Sequence, residues 1–223
     1  MDALMAVTFV FLAGLTLAGL SVLAAIVVPV VITQRRESRL AVCLGNLKQI
    51  NQAVLAYAAA NDQTLPVTEP SPIPGGWWHY RETIKSHLGL SGPPSPEEKV
   101  FACPDDRGYS DPKPFHQTAR FDYGSYNFNG VQIPGAPNVA GATLGSLVEP
   151  KRTLLTMEWA AHGPLSWHRS RTGHRNAPFY CDAESVVGFA DGRVALIPIY
   201  YDGHTAAYLR DPIPGYEYRY SGN

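Results

Sequence analysis

Residues 23–62 read LAAIVVPVVITQRRESRLAVCLGNLKQINQAVLAYAAAND, and the structure this stretch adopts decides the rest of the chain. In its second half, Leu40, Leu44, Leu47, Ile50 or Asn51, Val54 and Ala58 recur at the three- and four-residue spacing of one helix face. Arg39, Asn46, Lys48 and Gln52 lie on the other. The first half is apolar all round. Between Ala3 and Asn61 the only helix breaker is Pro29, which removes one backbone donor and crowds the preceding turn, so a kink is expected there. The pattern predicts one helix of roughly 85–90 Å at ~1.5 Å per residue. It should end near Asn61 and Asp62, because Pro66, Pro70, Pro72 and Pro74 follow.

Working outward toward the N-terminus, no ionisable side chain occurs from Ala3 to Gln34. That run exceeds the roughly 20 residues needed to cross a bilayer. A secretory signal has a basic start and an apolar centre of about 7–15 residues, and this segment fits neither description. The expected organisation is therefore a transmembrane stem at 1–34, with membrane lipid as its partner. One domain at 35–223 follows, with its helix at 35–62 packed on a sheet.

Toward the C-terminus the signals change. A short helix is expected around HYRETIKSHLGL. From Val100 onward, short β runs alternate with turns: KVFACP, YGSYNFNG, RTLLTMEW, SVVGFA and RVALIPIY. Helix first and antiparallel strands afterwards define an α+β class. Asp191-Gly192 lies between two apolar runs and predicts a two-residue hairpin turn in which both central residues need positive φ.

Composition narrows the function. With 18 basic and 19 acidic side chains, no field of either sign draws the chain to nucleic acid. The 19 prolines and 20 glycines mark a domain rich in loops. Three cysteines, Cys43, Cys103 and Cys181, permit at most one internal pair, and either a structural disulfide or buried thiols would suit them. His162, His168 and His174 recur every six residues, a spacing that suits neither a helical zinc pair nor a strand face, so they read as ordinary loop histidines. Asp182, Glu184 and Asp191 are the carboxylates near the hairpin. Calcium prefers six to eight oxygen ligands, and Asp191 is better explained as a turn residue. No Gly-x-Ser-x-Gly elbow is present, and nothing argues for an enzyme, a metal or a cofactor. Trp77, Trp78, Trp159 and Trp167 suit packing under loops better than a sugar-binding surface.

The stretch from Leu23 to Pro66 resembles the N-terminal region of type IV pilin-like proteins, especially the pseudopilin-like family of planctomycetes with the signature Cys-x-Asn-Asn-Leu-Lys-Gln-Ile. Cys43, Asn46, Leu47, Lys48, Gln49, Ile50, Tyr57, Asn61, Asp62 and Pro66 match, with Gly45 replacing the first Asn. FACPDD, YGSYNFNG, LLTMEW and FADGRV follow in the family's order. The last is similar to the hairpin of a C-terminal processing-associated domain named for a His followed nine residues later by Asp-Gly. His174 is the counterpart suggested by RTGHRN, although sixteen residues separate it from Asp191.

The resemblance implies a structural or accessory component of a type II secretion or type IV pilus-like assembly, with other pilin-like subunits as partners. It implies a Cys43–Cys103 disulfide, since both residues lie in matching segments. It also implies a bacterial inner-membrane protein with a periplasmic domain, whereas Arg35, Arg36 and Arg39 after the span would favour a cytoplasmic one by the positive-inside rule. Family members begin their mature stem with Phe-Thr-Leu-Ile-Glu after a cleaved Gly. Here the fifth mature residue would be Leu12 or Gly19, and no basic leader precedes the run. The N-terminus is thus expected to stay uncut, as in a non-polymerising or tip-located member. The alternative role is a membrane-anchored periplasmic binding module for an extracellular polymer.

Overall fold

The computed structural model describes residues 2–67, 79–95, 97–106, 124–130, 134–162, 167–168, 184–200 and 209–223. The chain divides into two compact units, Met1–Arg39 and Leu40–Asn223. It is α+β: one long helix, α1 (Asp2–Ala60), and a four-stranded antiparallel sheet. Pro29 lies within α1 without ending it. The helix is long and apolar enough to cross a membrane. In the first unit Leu15, Leu20, Leu23, Ile26 and Ile32 are all exposed.

In the second unit the buried face of α1 comprises Cys43, Leu47, Ile50, Asn51, Ala53, Val54 and Ala58, with Leu40 and Leu44 partly buried beside them. Both Ile50 and Asn51 turn inward. Asn46, expected on the polar face, is half-buried, because its amide donates to the carbonyl of Ala102 at 2.9 Å. The helix ends at Ala60, where Asp62 and Gln63 take φ of 51° and 60° and turn the chain.

The strands are β1 (Tyr126–Phe128), β2 (Leu154–Glu158), β3 (Glu184–Phe189) and β4 (Val194–Pro198), paired in that order as a meander. Side chains alternate across β3: Val186 joins the core beneath α1, while Val187 and Phe189 join a second cluster with Ile213, Tyr218 and Tyr220. The sheet is therefore covered on both faces. The second cover comes from the C-terminal segment, which pairs alongside β2 through a parallel Thr153–Arg219 bridge. Asn129 fastens it further, its amide donating to the carbonyls of both Leu154 and Tyr220.

Two local expectations are corrected. KVFACP forms no strand; Lys99–Phe101 is a 3-10 turn, with Phe101 N–H donating to Glu98 O. Glu98 is fixed by Arg81 at 2.6 Å and Lys85 at 2.8 Å, both on or beside α2 (Tyr80–Ile84), and all three side chains are almost fully buried. That ion cluster outweighs the strand propensity of three residues. The β3–β4 turn is also not a two-residue turn. Gly192 alone takes positive φ, at 88°, and the loop runs over Ala190–Arg193. Gly192 N–H donates to Phe189 O, and Asp191 Oδ1 accepts from Arg193 N–H at 3.0 Å, so Asp191 contributes its side chain instead of a left-handed backbone.

At Gly188 a side chain of α1 lies close against the sheet. A Cβ there would lie 2.5 Å from both Asn51 Oδ1 and Thr156 Oγ1. Those atoms are themselves bonded, Thr156 Oγ1 donating to Asn51 Oδ1 at 2.8 Å while Asn51 Nδ2 donates to Phe189 O at 3.0 Å. Gly188→Ala is therefore expected to destabilise the domain by about 1–3 kcal/mol through overpacking. Chemical denaturation followed by circular dichroism checks this, and unchanged stability would contradict the close approach.

Candidate functional site

Among the described residues, a cluster of polar side chains lies where α1, the 99–106 segment and the end of β2 converge. Cys43 comes from the buried face of α1. Cys103 follows the Lys99–Phe101 turn and is bonded to Cys43 as a disulfide with a Cα–Cα distance of 5.0 Å. The turn is held to the helix by Asn46, whose amide also reaches Lys99 O at 3.4 Å. The bond closes a loop of 60 residues, long enough to contribute about 4 kcal/mol by restricting the unfolded chain.

Around the disulfide lies a chain of buried polar groups. Cys103 N–H donates to Ser125 Oγ at 2.9 Å, and that hydroxyl donates to Asp106 Oδ2 at 2.7 Å. Glu158, the last residue of β2, is fully buried. One of its oxygens accepts from Val186 N–H at 2.8 Å; the other lies 2.6 Å from His168 Nε2 and 3.6 Å from Cys103 Sγ. His168 turns its second ring nitrogen toward Asp105, 3.3 Å away. The imidazole thus sits between two carboxylates with its side chain only 3% exposed.

Burial pushes the Glu158 carboxyl above its usual range, with His168 acting in the opposite direction. For His168, burial acts downward, but the hydrogen bond and charge of Glu158, with Asp105, outweigh it and raise the imidazole above its ordinary value. Both groups are therefore shifted upward, Glu158 by burial and His168 by the carboxylates that face it across contacts of 2.6 and 3.3 Å. Cys43 Sγ, Cys103 Sγ, a Glu158 oxygen and a His168 nitrogen all lie within 4.8 Å of one another.

The residues singled out by the sequence are placed as follows. Leu47 and Ile50 are core. Lys48 Nζ donates to Gly192 O at 2.7 Å, so α1 holds the hairpin tip. Gln49 bonds back to Gly45 O on its own helix. Asp191 and Gly192 form the hairpin loop. His174, Cys181, Asp182, Trp77 and Trp78 lie outside the described residues. Glu184 opens β3 and Asp191 lies in the loop past its other end, so the length of the strand, roughly 17 Å at ~3.3 Å per residue, separates them and they do not converge. Trp167 is buried and Trp159 packs against the core.

His168 is a correction: it is no ordinary loop histidine but a buried partner of Glu158. Spacing among histidines could not reveal this, because its partners come from β2 and the 99–106 segment. The available signal was Glu158 itself, a carboxylate closing the strand run LLTM.

No protein-family model, curated protein or solved structure matches the chain.

Removing one member of the pair should leave the other buried and uncompensated. His168→Ala is expected to cost about 3–5 kcal/mol. The combined His168→Ala and Glu158→Gln variant should lose less than the sum of the single changes, and a double-mutant cycle measured by urea denaturation checks this. Strict additivity would show that the two residues do not act together.

Proposed function

We propose that the chain is a single-pass, membrane-anchored, pseudopilin-like component of a type II secretion or type IV pilus-like assembly, in a structural or accessory role. One observation carries the reading. A single helix, α1, supplies an apolar segment of membrane-spanning length and, in residues 43–58, the face on which the second unit builds its core.

The physical chemistry of the helix supports anchoring. The hydroxyls of Thr16, Ser21 and Thr33 donate to the carbonyls of Ala13, Leu17 and Pro29, so these polar groups are satisfied within the helix, as a lipid environment requires. Exposed leucines, valines and isoleucines along the same stretch would be unfavourable in water and favourable in hydrocarbon. The proposed setting is the bacterial inner membrane with the second unit in the periplasm, where a Cys43–Cys103 disulfide persists.

The mechanism is mechanical: apolar stems pack side by side in lipid, and surfaces of the second unit select neighbouring pilin-like subunits. Lacking a Glu at the fifth position of either mature register, the stem has no carboxylate between Ala3 and Gln34 to neutralise a neighbour's terminal amine inside lipid. This favours an accessory or tip position over a filament subunit. The rival reading, a polymer-binding module, drew on tryptophans, and the two that are described pack inward.

Mild crosslinking in native membranes followed by mass spectrometry tests the proposal. Recovery of other pilin-like chains is the expected result, together with an intact, unmethylated N-terminus. Recovery of glycan without any pilin-like chain would overturn it.

A further inference from the structure

The disulfide, Glu158 and His168 bring two sulfurs, an imidazole nitrogen and a carboxylate oxygen to one buried point. We propose that this point is a redox-gated metal site: when the Cys43–Cys103 bond is reduced, both thiolates, His168 Nε2 and a Glu158 oxygen hold zinc or a similar thiophilic divalent ion in a closed tetrahedral site.

Four observations on the molecule converge. The donor set of two sulfurs, one nitrogen and one oxygen is one that zinc takes, and its members already lie within 4.8 Å of one another. A tetrahedral ion with metal–sulfur bonds of about 2.3 Å needs sulfurs about 3.8 Å apart, a separation that side-chain rotation supplies once the bond is cut. The outer contacts are in place: Asp105 faces the remaining nitrogen of His168, and Val186 N–H holds the remaining oxygen of Glu158. A ligating histidine oriented by a carboxylate is the arrangement that fixes ring geometry and raises ligand basicity. Finally, Cys43, Cys103 and Glu158 are wholly buried, which leaves no open position for water and makes the site structural instead of catalytic.

The chemistry balances in two steps. A dithiol reductant gives two electrons and two protons to the disulfide and is itself left as a disulfide, yielding two cysteine thiols. The entering ion then displaces both thiol protons, and the proton lying between His168 Nε2 and Glu158, to solvent. In either state α1 and the 99–106 segment stay stitched together, by a covalent bond when oxidised and by the ion when reduced, and in the reduced state the ion ties in β2 through Glu158. This inference stands whether or not the chain joins a pilus-like assembly.

The test uses the full chain in detergent micelles, carrying Cys181→Ser to remove the third thiol, reduced with a phosphine under argon and titrated with Co²⁺. One equivalent should produce a thiolate-to-cobalt charge-transfer band and tetrahedral ligand-field bands, all abolished by Zn²⁺; the oxidised protein should show neither. Cys43→Ser or Cys103→Ser should remove tight binding. His168→Gln, Glu158→Gln and Asp105→Asn should keep charge transfer but weaken affinity by about ten- to a hundredfold. If the reduced chain is unfolded without metal, Zn²⁺ should restore its circular dichroism. The proposal fails if folded reduced protein gives no charge-transfer band, if Zn²⁺ does not restore a reduced chain that has unfolded, or if the His168 and Glu158 variants bind as tightly as the parent.

Discussion

The second unit depends on one constraint: the carbonyls of irregular segments packed against α1 must find donors, and the helix supplies them from its own side chains. Asn46 serves Lys99 and Ala102, Lys48 serves Gly192, and Asn51 serves Phe189. Between these polar contacts Leu47, Ile50 and Val54 bury apolar surface. Hydrogen bonds of this kind contribute modestly, about 0.5–1.5 kcal/mol each, but a buried carbonyl left without a partner costs more. The polar residues therefore fix register, and the apolar ones provide most of the driving force.

The same logic explains why charged groups are buried in a loop-rich domain. Arg81, Lys85 and Glu98 form a nearly dry cluster, and the Arg81 guanidinium lies 4.5 Å from the centre of the Phe101 ring. Such a cluster adds little net stability over an apolar packing, but it admits few alternative arrangements. It directs the Lys99–Phe101 turn toward α1, which brings Cys103 to Cys43. The Glu158–His168–Asp105 chain does the same for the end of β2. Specific polar contacts thus position segments that have little regular structure of their own.

The two units suit different solvents. Exposed apolar surface along the stem matches hydrocarbon, and the sheet of the second unit has its apolar faces covered on both sides. Among the described residues, the buried polar clusters hold segments together, and one of them surrounds the disulfide.

The long helix, its end near Asn61, the α+β class and the β1–β4 runs were legible because each rests on local periodicity: apolar spacing of three and four for α1, and short β-branched runs bounded by turns for the strands. The hairpin at Asp191-Gly192 was legible in place but not in type, since only the packing of Lys48 and the Asp191 side chain selects one loop geometry. Three features could not be read. The Lys99–Phe101 turn, the cover that Ile213, Tyr218 and Tyr220 lay on the sheet, and the pairing of His168 with Glu158 all join residues far apart in the chain. Sequence by itself determined the long helix, the four runs that became β1–β4 and which surface is too apolar for water, because those follow from neighbours a few residues away. Tertiary structure alone decided which buried polar groups meet, because a proton, an ion pair or a sulfur contact depends on distances of a few ångströms between elements that sequence spacing does not record.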